Sequence, residues 1–275
     1  MNNHKKQDEF LGTESELLAM TKDLDELHND VGMPAMWSGV SNMIDEIRGS
    51  SGASRETSRR NFLMGMGAAV AGGAALLSVG AVPVMAGAAT RAKTPTSAAS
   101  ARAFPPAGLK GDLAVAAVAA SLENLAVFAY TAGLGAATAG KLGTVPAAVA
   151  TFALTAKAQH LQHTAAWNAV LRANGKARVT QVNPTLAPVV KSDFAKVTDV
   201  AGLANLALTL ETIAAETYQA ETSMLHSPAA VALSSSIQPV EMQHIAILYY
   251  VLGEYPGVQT SAGAPIAFSS TAKAV

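Results

Sequence analysis

One helical hairpin is repeated along this chain, and the repeat limits the possible folds more than any other feature. SLENLAVFAY at 121–130 matches TLETIAAETY at 209–218, because each has Leu-Glu, six further residues and then a tyrosine. HLQHTAAWNAVL at 160–171 matches EMQHIAILYYVL at 241–252 in the same way. Two hairpins related by a pseudo-twofold axis would bring equivalent positions together at their centre.

Apolar periodicity predicts four long helices, at 112–138, 147–173, 199–225 and 229–252. Short breaks join the first to the second and the third to the fourth, whereas residues 175–198 form a long connection with few helix signals. This pattern predicts an all-α fold, a four-helix bundle with one long crossover between the second and third helices. The first helix is apolar nearly all round, which indicates a buried helix or a contact between copies in a homo-oligomer.

Composition excludes several classes of function. The net charge is -1 and only 14% of residues are charged, so no nucleic-acid-binding surface is expected. The chain has no cysteine, which excludes disulfides, zinc-thiolate sites and a cysteine nucleophile. Neither a phosphate-binding glycine loop nor a serine-hydrolase motif is present in the sequence.

An export signal is expected at 58–88. Arg59 and Arg60 precede a charge-free stretch at 62–86, and Ala86-Gly87-Ala88 fits a small-residue cleavage site. This order of features looks like a twin-arginine signal, with the export machinery as a partner and a location across the cytoplasmic membrane. The alternative is an uncleaved membrane anchor, because about twenty apolar residues can span a bilayer.

These signals divide the chain into five parts. Residues 1–57 are an N-terminal extension with a capping box at Thr13 and Glu16 and two short amphipathic helices; the simplest interpretation is a dispensable segment. The export signal covers 58–88, and a Pro/Ser/Ala/Thr linker covers 89–109. The bundle then occupies 110–255, and a tail occupies 256–275.

Six ionisable residues lie on otherwise apolar helical stripes: Glu123, His160, His163, Glu211, Glu241 and His244. A buried, unpaired carboxylate would cost many kcal/mol, so these groups need a compensating charge. Lys157 is the only basic residue near these faces, and one cation cannot serve three carboxylates. Two interpretations stay open: a divalent metal, or histidines and carboxylates that share protons. Carboxylate with imidazole suits iron, manganese or zinc.

With these residues the sequence resembles the ferritin-like superfamily, in particular exported members related to desiccation-response proteins. The resemblance implies a di-iron or di-manganese centre with redox or oxygen-linked chemistry. It implies that Glu123 and Glu211 are terminal ligands, that His163 and His244 each bind one metal, and that Glu241 bridges. Tyr130 and Tyr218 would either hydrogen-bond to ligands or pack in the core.

His160 departs from the family pattern, because it stands where the second bridging glutamate is expected. A neutral imidazole offers one lone pair, so the site loses a bridge and a negative charge. A mononuclear site, a dinuclear site or a changed metal are all compatible with this set. The alternative function is a non-catalytic structural, stress-protective or partner-binding protein without stoichiometric metal. Glu216 is expected to be a solvated or an interface residue, and Glu221 and His226 are expected at the surface.

Overall fold

The computed structural model describes residues 13–49, 105–106 and 108–254. Every regular element in this part of the chain is helical, which confirms the all-α class. Arg59, Arg60, the expected cleavage site and the tail at 256–275 lie outside the described residues.

The four predicted long helices are present as two hairpins. Helices α3 (Asp112–Thr138) and α4 (Ala147–Ala173) form the first, and α6 (Val200–Thr222) and α7 (Pro228–Val251) form the second. Local capping explains where the second hairpin begins its helices, because the side chains of Asp199 and Ser227 accept hydrogen bonds from backbone N–H groups three residues on. Pro239 lies inside α7 without ending it.

The two hairpins are joined at their ends and along their length. The Asp112 carboxylate at the start of α3 accepts hydrogen bonds from the backbone N–H groups of His226 and Ser227, both at 2.9 Å. This contact places the beginning of α3 beside the beginning of α7. Helix α3 also packs against α6, so one helix of each hairpin meets in the interior.

The long connection contains a helix that the sequence analysis did not predict. Helix α5 (Ala187–Phe194) begins with Pro188 in its first turn, where the missing N–H of proline costs no hydrogen bond. The connection is anchored on α3, because the Asn124 amide donates to the carbonyls of Val179 and Gln181 at 3.1 and 3.2 Å. The asparagine in the middle of α3 therefore positions the crossing segment.

The N-terminal extension is part of the same folded unit. Helix α1 (Glu14–Leu27), which has the expected capping box, leads through a π-helical turn (His28–Gly32) into α2 (Met33–Gly49). Helix α2 buries Met36, Val40 and Met43, and Gly39 lies so close to α7 that a Cβ would come 2.9 Å from the Cα of Leu233. Residues 14–49 therefore pack against the domain, which the sequence analysis did not predict, because amphipathic periodicity shows an apolar face but not the partner that covers it. That the extension is dispensable stays a prediction.

Helix α3 is long and apolar enough to cross a bilayer by composition alone. In this fold 67% of its most apolar window is buried by protein, and Glu123 lies in its interior. It is the central helix of a packed core.

Candidate metal centre

The six ionisable residues converge between two apolar layers. Along α4 the order is Phe152, the two histidines and then Trp167, and all are at most 2% exposed. Phe152 belongs to the apolar layer that contains Tyr130 and Leu248, and Trp167 to the layer that contains Tyr218. The polar cluster is therefore enclosed by side chains that exclude water.

Two overlapping sets of four residues could each hold a metal ion. Within each set the potential ligand atoms all lie within 4.8 Å of one another. The first set consists of Glu123, His160, His163 and Glu241; the second consists of His160, Glu211, Glu241 and His244. The tertiary structure thus brings together all six residues singled out from the sequence, and His160 and Glu241 are common to both sets.

His160 joins two carboxylates of different hairpins. Its Nδ1 lies 2.8 Å from Oε2 of Glu123, and its Nε2 lies 3.1 Å from Oε1 of Glu211. A ring that donates at both nitrogens carries a proton on each and is positively charged. His160 therefore links by hydrogen bonds the two carboxylates that the family resemblance makes terminal ligands.

His163 and Glu241 lie in contact without a hydrogen bond. Nδ1 of His163 is 3.1 Å from Oε1 of Glu241 and 3.4 Å from Oε2 of Glu123. Both nitrogens of His163 and both oxygens of Glu241 are buried and have no hydrogen-bond partner among the described residues. Buried polar groups are normally satisfied. Because these four atoms point past one another rather than along hydrogen bonds, the residues fit a bound cation.

Gln159 orients His244 and was not predicted from the sequence. Oε1 of Gln159 lies 2.8 Å from Nε2 of His244 and can only accept, so that nitrogen carries a proton. Nδ1 of His244 then faces Oε2 of Glu211 at 3.3 Å. The Gln159 amide nitrogen is 3.4 Å from Oδ1 of Asp25 on α1. The sequence feature that could have identified Gln159 is its amide side chain directly before the candidate ligand His160, in an otherwise mostly apolar helical run.

The two tyrosines hydrogen-bond to the cluster across the hairpins. Tyr130 of α3 donates to Oε1 of Glu211 at 2.5 Å, and Tyr218 of α6 donates to Oε1 of Glu123. Burial, followed by the charge of the accepting carboxylate, raises the pKa of both phenols well above the ordinary value. Both therefore stay protonated as donors. Trp167 adds a hydrogen bond from its Nε1 to the Tyr218 oxygen at 2.9 Å.

The electrostatics of the cluster favour charged histidines in the absence of metal. Burial opposes charge on His163, but the carboxylates of Glu123 and Glu241 outweigh burial and raise its pKa to about 9. The pKa values of His160 and His244 are raised for the same reason, with Glu211 the foremost carboxylate. Burial would raise the pKa of Glu123, but the charges and hydrogen bonds of His163 and His160 bring it to about 2. Protons on the imidazoles can thus offset the carboxylate charges.

A fourth histidine next to the cluster comes from the N-terminal extension. His28 is 2% exposed, its Nε2 lies 2.6 Å from Oε1 of Gln162, and its ring meets His163 edge-on at 5.4 Å between centroids. Burial first, and then the charge of His163, lower the pKa of His28 to about 4, so it is neutral. Sequence pattern missed this residue because it is 134 positions away from the glutamine it contacts.

Glu221, which was expected at the surface, is buried, and Glu216 on the same helix is buried as well. Glu216 is 6% and Glu221 is 4% exposed, whereas the His226 side chain is 83% exposed, as expected. Burial, followed by the charge of Glu123, raises the pKa of Glu221 well above the ordinary value. Helical periodicity gave the wrong environment here because it does not show how many sides of α6 are covered.

The chain was compared with known protein families. A model of the ferritin-like domain matches residues 111–254. The chain belongs to the ferritin-like domain family. No curated protein and no solved structure was found to match. The matched residues of this ferritin-like domain include the six cluster residues and both tyrosines, whereas α1, α2 and His28 lie ahead of it.

Proposed function

We propose that this ferritin-like protein binds one or two iron or manganese ions in its core and uses them in redox or oxygen-linked chemistry. The four long helices then form the ferritin-like bundle, with residues 174–199 as its crossover. One observation carries the proposal: both nitrogens of His163 and both oxygens of Glu241 are buried without a hydrogen-bond partner among the described residues, and these two residues belong to the overlapping ligand sets.

The donor set limits the ions. Carboxylates suit manganese and other hard cations, imidazole suits iron, zinc and copper, and thiolate ligands are impossible in a chain without cysteine. Three carboxylates with three imidazoles match ions that accept both oxygen and nitrogen. Membership of the ferritin-like family favours iron or manganese over zinc.

Each residue has a separable part in holding such ions. Glu241 belongs to both ligand sets and has two oxygens, so it can serve both. Glu123 with His163 completes one set, and Glu211 with His244 completes the other. His160 can ligate through one nitrogen while the other keeps its proton for a neighbouring carboxylate. Because His160 then completes only one of the two sets, we expect two unequal sites, and the weaker is the set that His160 does not ligate.

The surrounding residues supply orientation and exclude water. The hydroxyls of Tyr130 and Tyr218 hold one oxygen of Glu211 and one of Glu123, which leaves the second oxygen of each for a cation. Gln159 holds His244 with Nδ1 turned toward the cluster. A bound iron or manganese would supply one-electron redox chemistry and oxygen activation. Protons held by the histidines must leave as the ions bind.

Metal content per chain tests the proposal. The full chain is expressed and purified without oxygen, and iron and manganese are measured by mass spectrometry. We expect near-stoichiometric metal in the wild type and its loss in the double variant His163→Ala, His244→Ala. His226→Ala is the matched control, because that side chain is exposed and outside the cluster.

The alternative is a non-catalytic bundle with a structural, stress-protective or partner-binding role. It is favoured by one observation: His160 hydrogen-bonds to the carboxylates of both Glu123 and Glu211, so protons on the histidines can balance the charge of the cluster without a metal. Substoichiometric metal, with thermal stability unchanged by a chelator, would support this alternative and overturn the proposal.

We propose that the protein is exported across the cytoplasmic membrane by the twin-arginine route. The packing of α1 and α2 on the domain then limits when they can be in contact with it. Cleavage near Ala88 would separate residues 14–49 from the ferritin-like domain. An uncleaved anchor at 62–86 would put the two parts on opposite sides of the membrane. Export in either form therefore detaches α1 and α2 from the domain they cover, so we infer that they cover it before export.

Fractionation of cells that express the full chain tests this localisation. We expect the exported protein to begin near Ala89 by mass, and the cytoplasmic precursor to protect residues 14–49 from protease. A full-length chain found in the cytoplasm alone, at steady state, would contradict the export proposal.

A further inference from the structure

An apolar cavity of about 60 Å³ lies at the Tyr130 end of the four long helices. Its inner wall includes the buried side chains of Tyr130, Phe152 and Leu248, and its outer wall includes Leu134 and Leu203, which are partly exposed. Of the described lining residues, Tyr130 is the only one with a polar side chain, and its hydroxyl already donates to Glu211. The cavity thus extends from near the surface to a ring that touches the polar cluster.

The internal repeat explains why this space exists at one end of the cluster. Position 167 of the first hairpin corresponds to position 248 of the second. Trp167 packs its indole along Tyr218, with 6.4 Å between ring centroids. Leu248 occupies the equivalent position beside Tyr130 and has no indole, so volume is left next to that tyrosine.

Two aromatic residues that line the cavity also contact candidate metal ligands. The Tyr130 ring stacks on His160 at 5.7 Å between centroids, and the Phe152 ring meets His244 edge-on at 6.1 Å. A molecule in the cavity would therefore lie one ring away from the Glu211 side of the cluster.

We propose that this cavity binds a small, uncharged apolar molecule, either dioxygen or the end of an alkyl chain, beside the candidate metal centre. The inference deepens the proposed function and rests on it for the link to oxygen chemistry. The cavity has several times the roughly 10–15 Å³ that one water needs and is smaller than the ~150 Å³ cavity of another protein that binds benzene. Closed apolar cavities stay dry and take up xenon, and the lining of this cavity is equally apolar.

The lining excludes charged and strongly polar ligands. A hydrated ferrous ion or a carboxylate would lose its water shell and find no free hydrogen-bonding group on the described walls. The cavity is therefore unsuited as an ion entrance. Its described lining residues belong to α3, α4, α6, α7 and the α3–α4 loop, and none of them comes from α1 or α2.

Xenon binding to the metal-free full chain tests the proposal without any activity assay. We expect saturable binding by xenon NMR, with chemical-shift changes at Tyr130 and Phe152. Leu248→Trp places the indole of the other hairpin into the space and should weaken xenon binding at least tenfold. Leu161→Trp is the matched control, because Leu161 lies on α4 with 45% of its surface exposed, and it should leave binding unchanged.

A second variant covers the case in which Leu248→Trp does not fold. Ala207→Leu fills the cavity from α6, where Ala207 lines it and is partly exposed, and it should also abolish xenon binding. Absence of xenon binding to the wild type, or equal binding to the wild type and a folded cavity-filling variant, would overturn the proposal.

Competition with n-hexanol distinguishes the two kinds of ligand. If hexanol displaces xenon, the cavity is large enough for the end of an alkyl chain. If hexanol does not displace xenon, the ligand is a smaller molecule of the size of dioxygen. Metal content is measured on the same variants. Xenon binding with no stoichiometric metal would leave the cavity proposal standing and overturn the proposed function alone.

Discussion

Tyr130 of the first hairpin donates a hydrogen bond of 2.5 Å to Glu211 of the second. At the equivalent positions of the internal repeat, Tyr218 of the second hairpin donates a hydrogen bond to Glu123 of the first. Each hairpin thus supplies a carboxylate to the cluster and a phenol that holds the carboxylate of the other. This reciprocity ties the packing of the two hairpins to the geometry of the candidate metal site.

The tyrosine bonds predict unequal losses of stability. Tyr130→Phe removes one bond to a buried carboxylate and should lower the free energy of unfolding by roughly 1–3 kcal/mol. Tyr218→Phe should cost more, because the Trp167 N–H also loses its acceptor. Urea unfolding of the metal-free variants measures both, with the partly exposed Tyr249 changed to Phe as the control. Equal losses in the first two variants would contradict the network.

The histidines predict a loss of stability in alkaline solution when metal is absent. The pKa of His163 is raised from 6.5 to about 9, so its contribution is complete below pH 6.5 and disappears as the pH rises through 9. Its size is on the order of 3 kcal/mol, because a tenfold change in a protonation equilibrium corresponds to about 1.4 kcal/mol. Thermal unfolding from pH 6 to 9 measures it.

Metal should remove this pH dependence. Ligation replaces the imidazole protons, so the loaded protein should keep its Tm between pH 7 and 9 while the metal-free protein loses Tm. A metal-free Tm that is constant over this range would show that the histidines are not charged in the folded state.

His160→Glu restores the carboxylate that the family pattern lacks at this position. The metal-free variant should be destabilised by roughly 3–5 kcal/mol, because a buried cation is replaced by a further anion beside Glu123 and Glu211. Metal content should rise toward two ions per chain, measured by titration calorimetry and mass spectrometry. His160→Gln has a similar size without the charge and should not gain metal. A Glu variant with no higher metal content than the Gln variant would contradict the assignment of this position.

Glu221 predicts a further loss of stability with rising pH, which begins at a lower pH than that of His163. Burial and the charge of Glu123 raise the pKa of Glu221, and its Oε2 has no hydrogen-bond partner within the described part of the chain. The contribution of Glu221 to the free energy of unfolding is complete below the pKa of about 4.3 that a glutamate has in the unfolded chain. It falls as the pH rises toward the pKa of Glu221 in the folded protein. At pH 8, Glu221→Gln should therefore have a higher free energy of unfolding than the wild type, and the difference should be smaller at pH 5. Urea unfolding at pH 5 and 8 measures this, and Glu14→Gln at an exposed site should show no such gain.

Local pattern was sufficient for the helices and for the candidate ligands. The four long helices and the six cluster residues were predicted because helical spacing places residues three, four and seven apart on one face. Each of the four helices carries ionisable residues on an apolar face, and the two hairpins carry them at equivalent positions. This repetition indicates that all of them lie in the interior of the bundle. Helix α5 was missed because Pro188 was counted as a break, although proline is favoured in the first turn of a helix.

The sequence by itself determined the all-α class, the two repeated hairpins and the chemical types of the cluster residues, because these depend on contacts within one helix. The tertiary structure alone decided that α1 and α2 cover the domain, that His28 and Gln159 meet the cluster, and that Glu221 is buried. It also decided that Leu248 leaves a cavity where Trp167 fills its counterpart. Each of these depends on which surfaces meet across long stretches of chain, and residue spacing along one helix does not contain that information.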